Sequence, residues 1–207
     1  MVQYAQEYLG EFVDELRQFF PTEIIQQCMV LGERNPKPDN PKYLGIDVAR
    51  MGGDETTFVS LEKDRDTLLM FGLNIYIQTL ITETIRLTKD LDAKFKYRKI
   101  YIDDGGLGVG VYDPLREDEQ TRRKITAINN ARRASDYETS ISPIVKERKT
   151  HLLKEALYAN LLKLLETKQI KLLQSPELLL SLKSIQYEYS GGGQIKIFGN
   201  YSHITEA

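Results

Sequence analysis

Hydrophobic positions recur at different spacings along the chain, and the changes of spacing divide it. Tyr8, Leu9, Phe12, Leu16 and Phe19 fall three or four apart, which predicts an amphipathic helix over residues 4–20, broken by Pro21. Thr22 offers an N-cap to a second, short helix. Pro36, Pro38 and Pro41 then interrupt any regular element, so residues 35–42 are expected to form a linker. Residues 1–34 are read as a helical appendage and residues 43–207 as one compact α/β domain.

Within that domain the period shortens to strand-like runs at 43–49, 56–61 and 67–75, two of them joined by tight turns, which predicts an antiparallel meander. Residues 78–95 return to helical spacing through Ile77, Leu80, Ile81, Ile85, Leu91 and Phe95, and residues 99–103 form the next buried strand. A helix crossing over between strands implies parallel pairing. A short helix to Leu115 and a strand at 124–128 follow. Residues 129–143 carry no apolar period and are read as a long loop. A helix at 149–166, with Leu153, Ala156, Leu157, Leu161 and Leu164 on one face, precedes a short helix from Pro176. A hairpin then turns through Gly191–Gly193, and a final helix starts with Ser202 as its N-cap.

Composition narrows the chemistry. The chain has 207 residues, 41% hydrophobic and 28% charged, which describes a folding globular protein. It has no apolar run of about 18 residues and no basic-then-apolar leader, so membrane spanning and secretion are not expected. Cys28 is the single cysteine and there are two histidines, which excludes an internal disulfide and a Cys/His zinc site. Any metal must therefore be held by carboxylates. The formal charge of −2 gives no global attraction to nucleic acid, so DNA binding would rest on local basic surfaces. No GxxxxGK[ST] loop occurs, and the glycines at 105, 106, 108 and 110 match no dinucleotide fingerprint.

Two acids stand out at strand positions. Asp47 lies among Leu44, Ile46 and Val48, and Asp103 ends the run Ile100, Tyr101, Ile102. A carboxylate buried there needs a partner, and if the strands adjoin, both acids reach one site suited to a hard divalent cation. The alternative is that they cap strand ends or pair with Arg50 and Arg98. Asp104 alternates to the other face and reads as a turn residue. His203 and Glu206 are three apart, which puts both on one helix face, or else marks only a helix start with a dipole-stabilised Glu. Basic residues gather at Arg122, Arg123 and Lys124, at Arg132 and Arg133, and at Lys146, Arg148 and Lys149. They suit phosphate contacts, or are a solvated face.

The order strand, strand, strand, helix, strand, with acids on the first and fourth strands, resembles the ribonuclease H-like fold. Gly45-Ile46-Asp47-Val48-Ala49-Arg50-Met51-Gly52-Gly53-Asp54, Ile102-Asp103-Asp104-Gly105-Gly106-Leu107-Gly108, and His203-Ile204-Thr205-Glu206-Ala207 resemble the nuclease domain of the large terminase subunit of tailed viruses. Tyr8-Leu9-Gly10-Glu11-Phe12 is similar to the segment ending the packaging ATPase domain of that family.

The resemblance implies a mixed sheet flanked by helices, and a metal-dependent endonuclease that cuts concatemeric double-stranded viral DNA with little sequence specificity. It implies two divalent ions, Mg2+ or Mn2+, held by Asp47, Asp103 and Glu206, with Asp47 bridging and Asp104 and His203 as auxiliaries. It further implies DNA contacts from Arg132, Arg133, Lys146, Arg148 and Lys149. The partners implied are the packaging ATPase domain of the full-length protein, the small terminase subunit and the portal, in the host cytoplasm and with no membrane. Glu206 stands where the family usually has Asp. With no residues after Ala207, Glu206 is expected on a frayed helix end. A resolvase or transposase core and a non-catalytic docking module of a packaging motor are the alternatives.

Overall fold

The computed structural model describes residues 18–48, 55–103, 108–128, 153–190 and 194–207. The meander forms as β1 (Lys42–Asp47), β2 (Glu55–Asp64) and β3 (Thr67–Ile77), each antiparallel to the next. On the far side of the sheet's first strand, chain returns in the same direction. Helix α2 (Ile81–Phe95) crosses over, so β4 (Lys99–Asp103) runs parallel to β1. Helix α3 (Gly108–Glu117) leads to β5 (Ile125–Ile128), parallel to β4. A two-residue β6 (Ile170–Lys171), which the sequence pattern does not predict, pairs parallel with β3. The six-stranded order is β5-β4-β1-β2-β3-β6. This is the mixed sheet expected, antiparallel in its first three strands and parallel beyond.

Strand alternation gives the sheet two apolar faces. Leu44, Ile46, Phe58, Ile100 and Ile102 point to one side and form a buried cluster with Val111 and Leu115 of α3 and Tyr97. Helix α2 lies over the same cluster, but its deepest stripe is polar: Thr84, Thr88 and Asp92 are buried. The stripe is satisfied internally. Thr84 and Thr88 donate to the carbonyls of Leu80 and Thr84, at 3.2 and 2.7 Å. Asp92 receives Lys124 and the Tyr97 amide. Ile77 and Leu80, expected on the buried face, are each 66% exposed, because both precede the first turn of α2.

On the opposite face lie α1 (Thr22–Cys28), α4 (Leu153–Glu166), α5 (Pro176–Lys183), the hairpin β7 (Ile185–Ser190) and β8 (Gln194–Gly199), and α6 (His203–Glu206). Their cluster joins Phe20, Ile25 and Cys28 to Met70, Tyr158, Leu165, Leu178, Leu182, Ile185 and Ile204. Phe20, Ile25 and Cys28, from the segment read as an appendage, thus belong to a core shared with the rest of the chain. The predicted first helix falls largely outside the described residues. At its far end Gln18 bridges to Gln186 and the Phe19 amide donates to the Ile185 carbonyl, so this end is extended backbone instead of helix.

The proline-bearing segment is fastened to β2. Glu62, whose side chain is fully buried, pairs with Arg34 and accepts from the Lys37 amide at 2.8 Å and from Asn40 at 3.3 Å. Lys42 donates to the carbonyls of Pro38 and Asn40. Proline removes amide donors, and Glu62 accepts the Lys37 amide left between Pro36 and Pro38.

On α4 the buried residues are Leu153, Tyr158 and Leu165, and Leu157 is exposed, so the apolar stripe is rotated from the one read in the sequence. Helix α5 starts as expected. Ser175 accepts from the Leu178 amide, with Pro176 at the first helical position.

Candidate metal centre

On β1 the even positions Leu44 and Ile46 enter one core, so Gly45 and Asp47 face the other way. On β4 Ile100 and Ile102 do the same, which leaves Tyr101 and Asp103 on the face of Gly45 and Asp47. β1 and β4 pair in parallel with Gly45 opposite Tyr101 and Ile46 opposite Ile102. Continuing that register sets Asp47 beside Asp103 on adjoining strands, about 4.8 Å apart in backbone. The condition set by the sequence, adjacent strands, is met.

Helix α6 brings the other groups from across the molecule. It is a short helix, yet it is pinned at several points. Ile204 is buried, the Thr205 amide and hydroxyl both bond the buried Ser181 hydroxyl, and Thr57 donates to the His203 carbonyl at 2.9 Å. The backbone of Ala207 passes so close to β1 that a Cβ on Gly45 would sit 1.5 Å from its carbonyl oxygen. Glu206 is therefore on a docked element, and the expectation of a frayed end is corrected. Ser202 precedes the helix, but its side chain makes no capping bond to the backbone. Its hydroxyl serves the Glu206 carboxylate instead.

His203 Nδ1 lies 2.8 Å from Asp47 Oδ2. Glu206 Oε1 accepts from Lys154 Nζ at 2.8 Å and from the Tyr158 hydroxyl at 3.0 Å. Lys154 and Tyr158 are one turn apart on α4, and the sequence reading missed both. The detectable signal was their i, i+4 spacing, with a tyrosine interrupting an aliphatic stripe.

The electrostatics follow from burial. Desolvation pushes the Asp47 carboxyl up to about 6, against the His203 hydrogen bond and charge, and the negative charges of Glu206 and Asp103 add to the rise. Burial also raises Glu206, but the hydrogen bonds from Lys154, Ser202 and Tyr158 and the Lys154 charge outweigh it and hold the group below the ordinary range. Tyr158 is pushed far up by burial and by Glu206.

The donor set fits a hard divalent cation: carboxylate oxygens, one imidazole, and an Asp47 that ionises reluctantly because it is buried and faces other acids. In the arrangement observed, no group of three or more His, Cys, Asp or Glu among the described residues is gathered closely enough to hold an ion. Asp47 is engaged by His203, and Glu206 by Lys154 and Tyr158.

Asp104, Arg132, Arg133, Lys146, Arg148 and Lys149 lie outside the described residues. Gly108, where α3 begins, packs directly on the end of β4: a Cβ there would stand 1.7 Å from the Asp103 carbonyl oxygen. Among the described residues no helix is long and apolar enough to cross a membrane.

Strand order and the helical crossover match the ribonuclease H-like fold. Solved structures to which this chain is similar include nucleases of phage large terminases. The large terminase nuclease from thermophilic phage G20c with bound magnesium aligns with a TM-score of 0.67 at 17% identity, over 92% of this chain and 94% of that one. That nuclease is also known with bound cobalt and with bound zinc. The large terminase nuclease domain of Thermus phage P74-26 aligns at a TM-score of 0.61 and 15% identity, over 89% of this chain and 88% of that one. A large terminase from a further thermophilic bacteriophage gives 0.61 and 15%, over 98% of this chain and 48% of that one, so this chain spans about half its length. No family model and no curated protein matches the sequence.

Proposed function

We propose that this chain is the nuclease domain of a phage-type large terminase, a metal-dependent endonuclease that hydrolyses phosphodiester bonds of double-stranded viral DNA. The observation that carries the reading is the placement of Asp47 beside Asp103 on adjoining parallel strands, with His203 and Glu206 brought to the same site by a docked helix. The G20c nuclease, known with magnesium, cobalt and zinc, supports divalent-metal dependence. The longer phage terminase, of which this chain matches about half, supports a place beside the packaging ATPase domain of one polypeptide, to which residues 1–34 would lead.

Asp47, Asp103 and Glu206 would hold two divalent ions, Mg2+ or Mn2+, with Asp104 as a further candidate ligand. Bound there, such ions lower the pKa of an attacking water and stabilise charge on the leaving 3′ oxygen. The chain's own residues set the geometry around that chemistry. β1 and β4 fix two carboxylates in register, and the contacts of Ser181, Thr57 and Gly45 fix the third. His203 is held by Asp47 at Nδ1, which leaves Nε2 to carry a proton to or from the reacting oxygens. Arg132, Arg133, Lys146, Arg148 and Lys149 would grip phosphates with little sequence preference and steep salt dependence. The small terminase subunit and the portal are the partners this role requires, in the host cytoplasm.

The test is cleavage of supercoiled plasmid with Mn2+, Mg2+ or EDTA, comparing the chain with Asp47→Asn. We expect Mn2+-dependent nicking and linearisation that falls below detection in Asp47→Asn while folding is retained. Cleavage by Asp47→Asn at the wild-type rate overturns the assignment.

A further inference from the structure

We propose that Lys154 is a built-in counter-ion, holding Glu206 while the site lacks a divalent cation and competing with the cation for that carboxylate. This rests on the nuclease reading of the site.

The argument begins from charge. Asp47 and Asp103 end adjoining parallel strands, and the helix that bears Glu206 is docked on β1 with its His203 on Asp47. Removing ionised carboxylates from water requires compensating positive charge. Among the described residues, the Lys154 ammonium is in ion-pair contact with Glu206. Its 2.8 Å contact is with the same Oε1 that receives the Tyr158 hydroxyl. One oxygen of Glu206 is thereby committed to α4, and an incoming cation meets a ligand already engaged.

The grip is built to be released. Lys154 touches a single carboxylate oxygen and is 30% exposed, with Glu206 at 14%. Lys124, as exposed as Lys154 at 29%, shows what a permanent clamp looks like in the same chain: the difference lies in the carboxylate, since it contacts both oxygens of Asp92, whose side chain is 1% exposed. A lysine on a flexible four-carbon stem with a path to water can withdraw when a doubly charged ion replaces it. Its ammonium also lies 5.7 Å from the centre of the Tyr158 ring, a second resting place on its own helix.

The experiment is calorimetric titration of Mn2+ into the metal-free chain, with melting measured in EDTA and at saturating Mn2+. The variants are Lys154→Met, Lys154→Gln, Lys154→Arg and Asp47→Asn. We expect Lys154→Met to bind Mn2+ about tenfold more tightly than wild type, the scale of one released charge-assisted contact. We expect it to melt lower than wild type in EDTA, with the gap narrowing at saturating Mn2+. Lys154→Arg keeps a positive charge and should keep wild-type affinity. If Lys154→Met does not fold, Lys154→Gln carries the same expectation while retaining a hydrogen-bond donor. Unchanged or weaker Mn2+ binding in the neutral variants overturns the competition. Separately, Mn2+ binding that persists in Asp47→Asn overturns the site assignment, and absence of binding in every variant overturns both.

Discussion

Glu62 and Asp92 are buried carboxylates that the fold has fully provided for, and Asp47 is one that it has not. Glu62 closes the attachment of the proline segment through Arg34, the Lys37 amide and Asn40. Asp92 locks α2 to β5 through Lys124, with the Tyr97 amide and Gln120 completing its shell. Each has a dedicated cation and further donors, so its burial is stable without any ligand. Among the described residues, the side-chain hydrogen bond of Asp47 is to His203, a group whose charge is conditional, and two further acids face it. A carboxylate kept in that condition is a standing cost to folding. Such a cost at a strand end, on the face where a second strand-end acid and a helix-borne acid converge, is the physical mark of a ligand site.

The comparison is broken most severely at Asp92. Asp92→Ala leaves the Lys124 ammonium and the Tyr97 amide without their acceptor, and we expect a loss of about 3 kcal/mol of stability. Denaturant unfolding measures it, and Mn2+ binding by the folded fraction should be unchanged. Asp47→Asn should act in the opposite direction. Burying the ionised form costs about 3 kcal/mol for a carboxyl moved from 3.8 to about 6. The neutral amide escapes most of that cost, so the variant should be the more stable protein in EDTA at neutral pH.

The same shift fixes a sign for pH. The folded pKa of Asp47 lies above its unfolded value, so its contribution is fully present below about 3.8 and is lost as pH rises through about 6. Metal-free wild type should therefore lose stability between about pH 4.5 and 6.5, by somewhat less than about 3 kcal/mol, where Asp47→Asn does not. Glu206 has the reverse sign, its folded pKa being lowered. Its contribution is present above its ordinary 4.5 and is lost as pH falls below it. The two groups thus report in different windows. A wild-type curve that parallels Asp47→Asn from about pH 4.5 to 6.5 would remove the contrast with Asp92.

Why some of this was legible in the sequence and some was not follows from range. The meander, the crossover and the strand-end acids are local patterns of period and turn, and Lys99–Asp103 was read to the residue. That Asp47 and Asp103 would adjoin needed only the rule that a helical crossover returns a parallel strand. The polar stripe of α2 was hidden because threonine satisfies itself within a helix, so a buried line of Thr84, Thr88 and Asp92 looks like a solvent face. The docking of α6 was equally hidden. It depends on Ser181, Thr57 and Gly45, which lie far away in sequence and carry no signal individually. Lys154 was invisible as a partner of Glu206 for the same reason, since the two stand 52 positions apart.

Gly45 offers the finest cut through the comparison, because it changes neither charge nor ligand. Its place on β1 faces α6, and the Ala207 backbone occupies the volume where any side chain would stand. In Gly45→Ala the new methyl and that carbonyl cannot coexist, so α6 must lift from β1 or β1 must yield. The strand is hydrogen-bonded on both sides, to β2 and to β4, whereas α6 is four residues held by side-chain contacts. The helix moves. We expect about 1–2 kcal/mol of lost stability, the smallest of these effects, yet a marked loss of Mn2+ affinity, since His203 and Glu206 travel with the helix while Asp47 and Asp103 stay. Calorimetry and unfolding on the same preparation separate the two. A Gly45→Ala protein that binds Mn2+ as wild type does would mean that the strand acids hold the ion without α6, and would confine the site to β1 and β4.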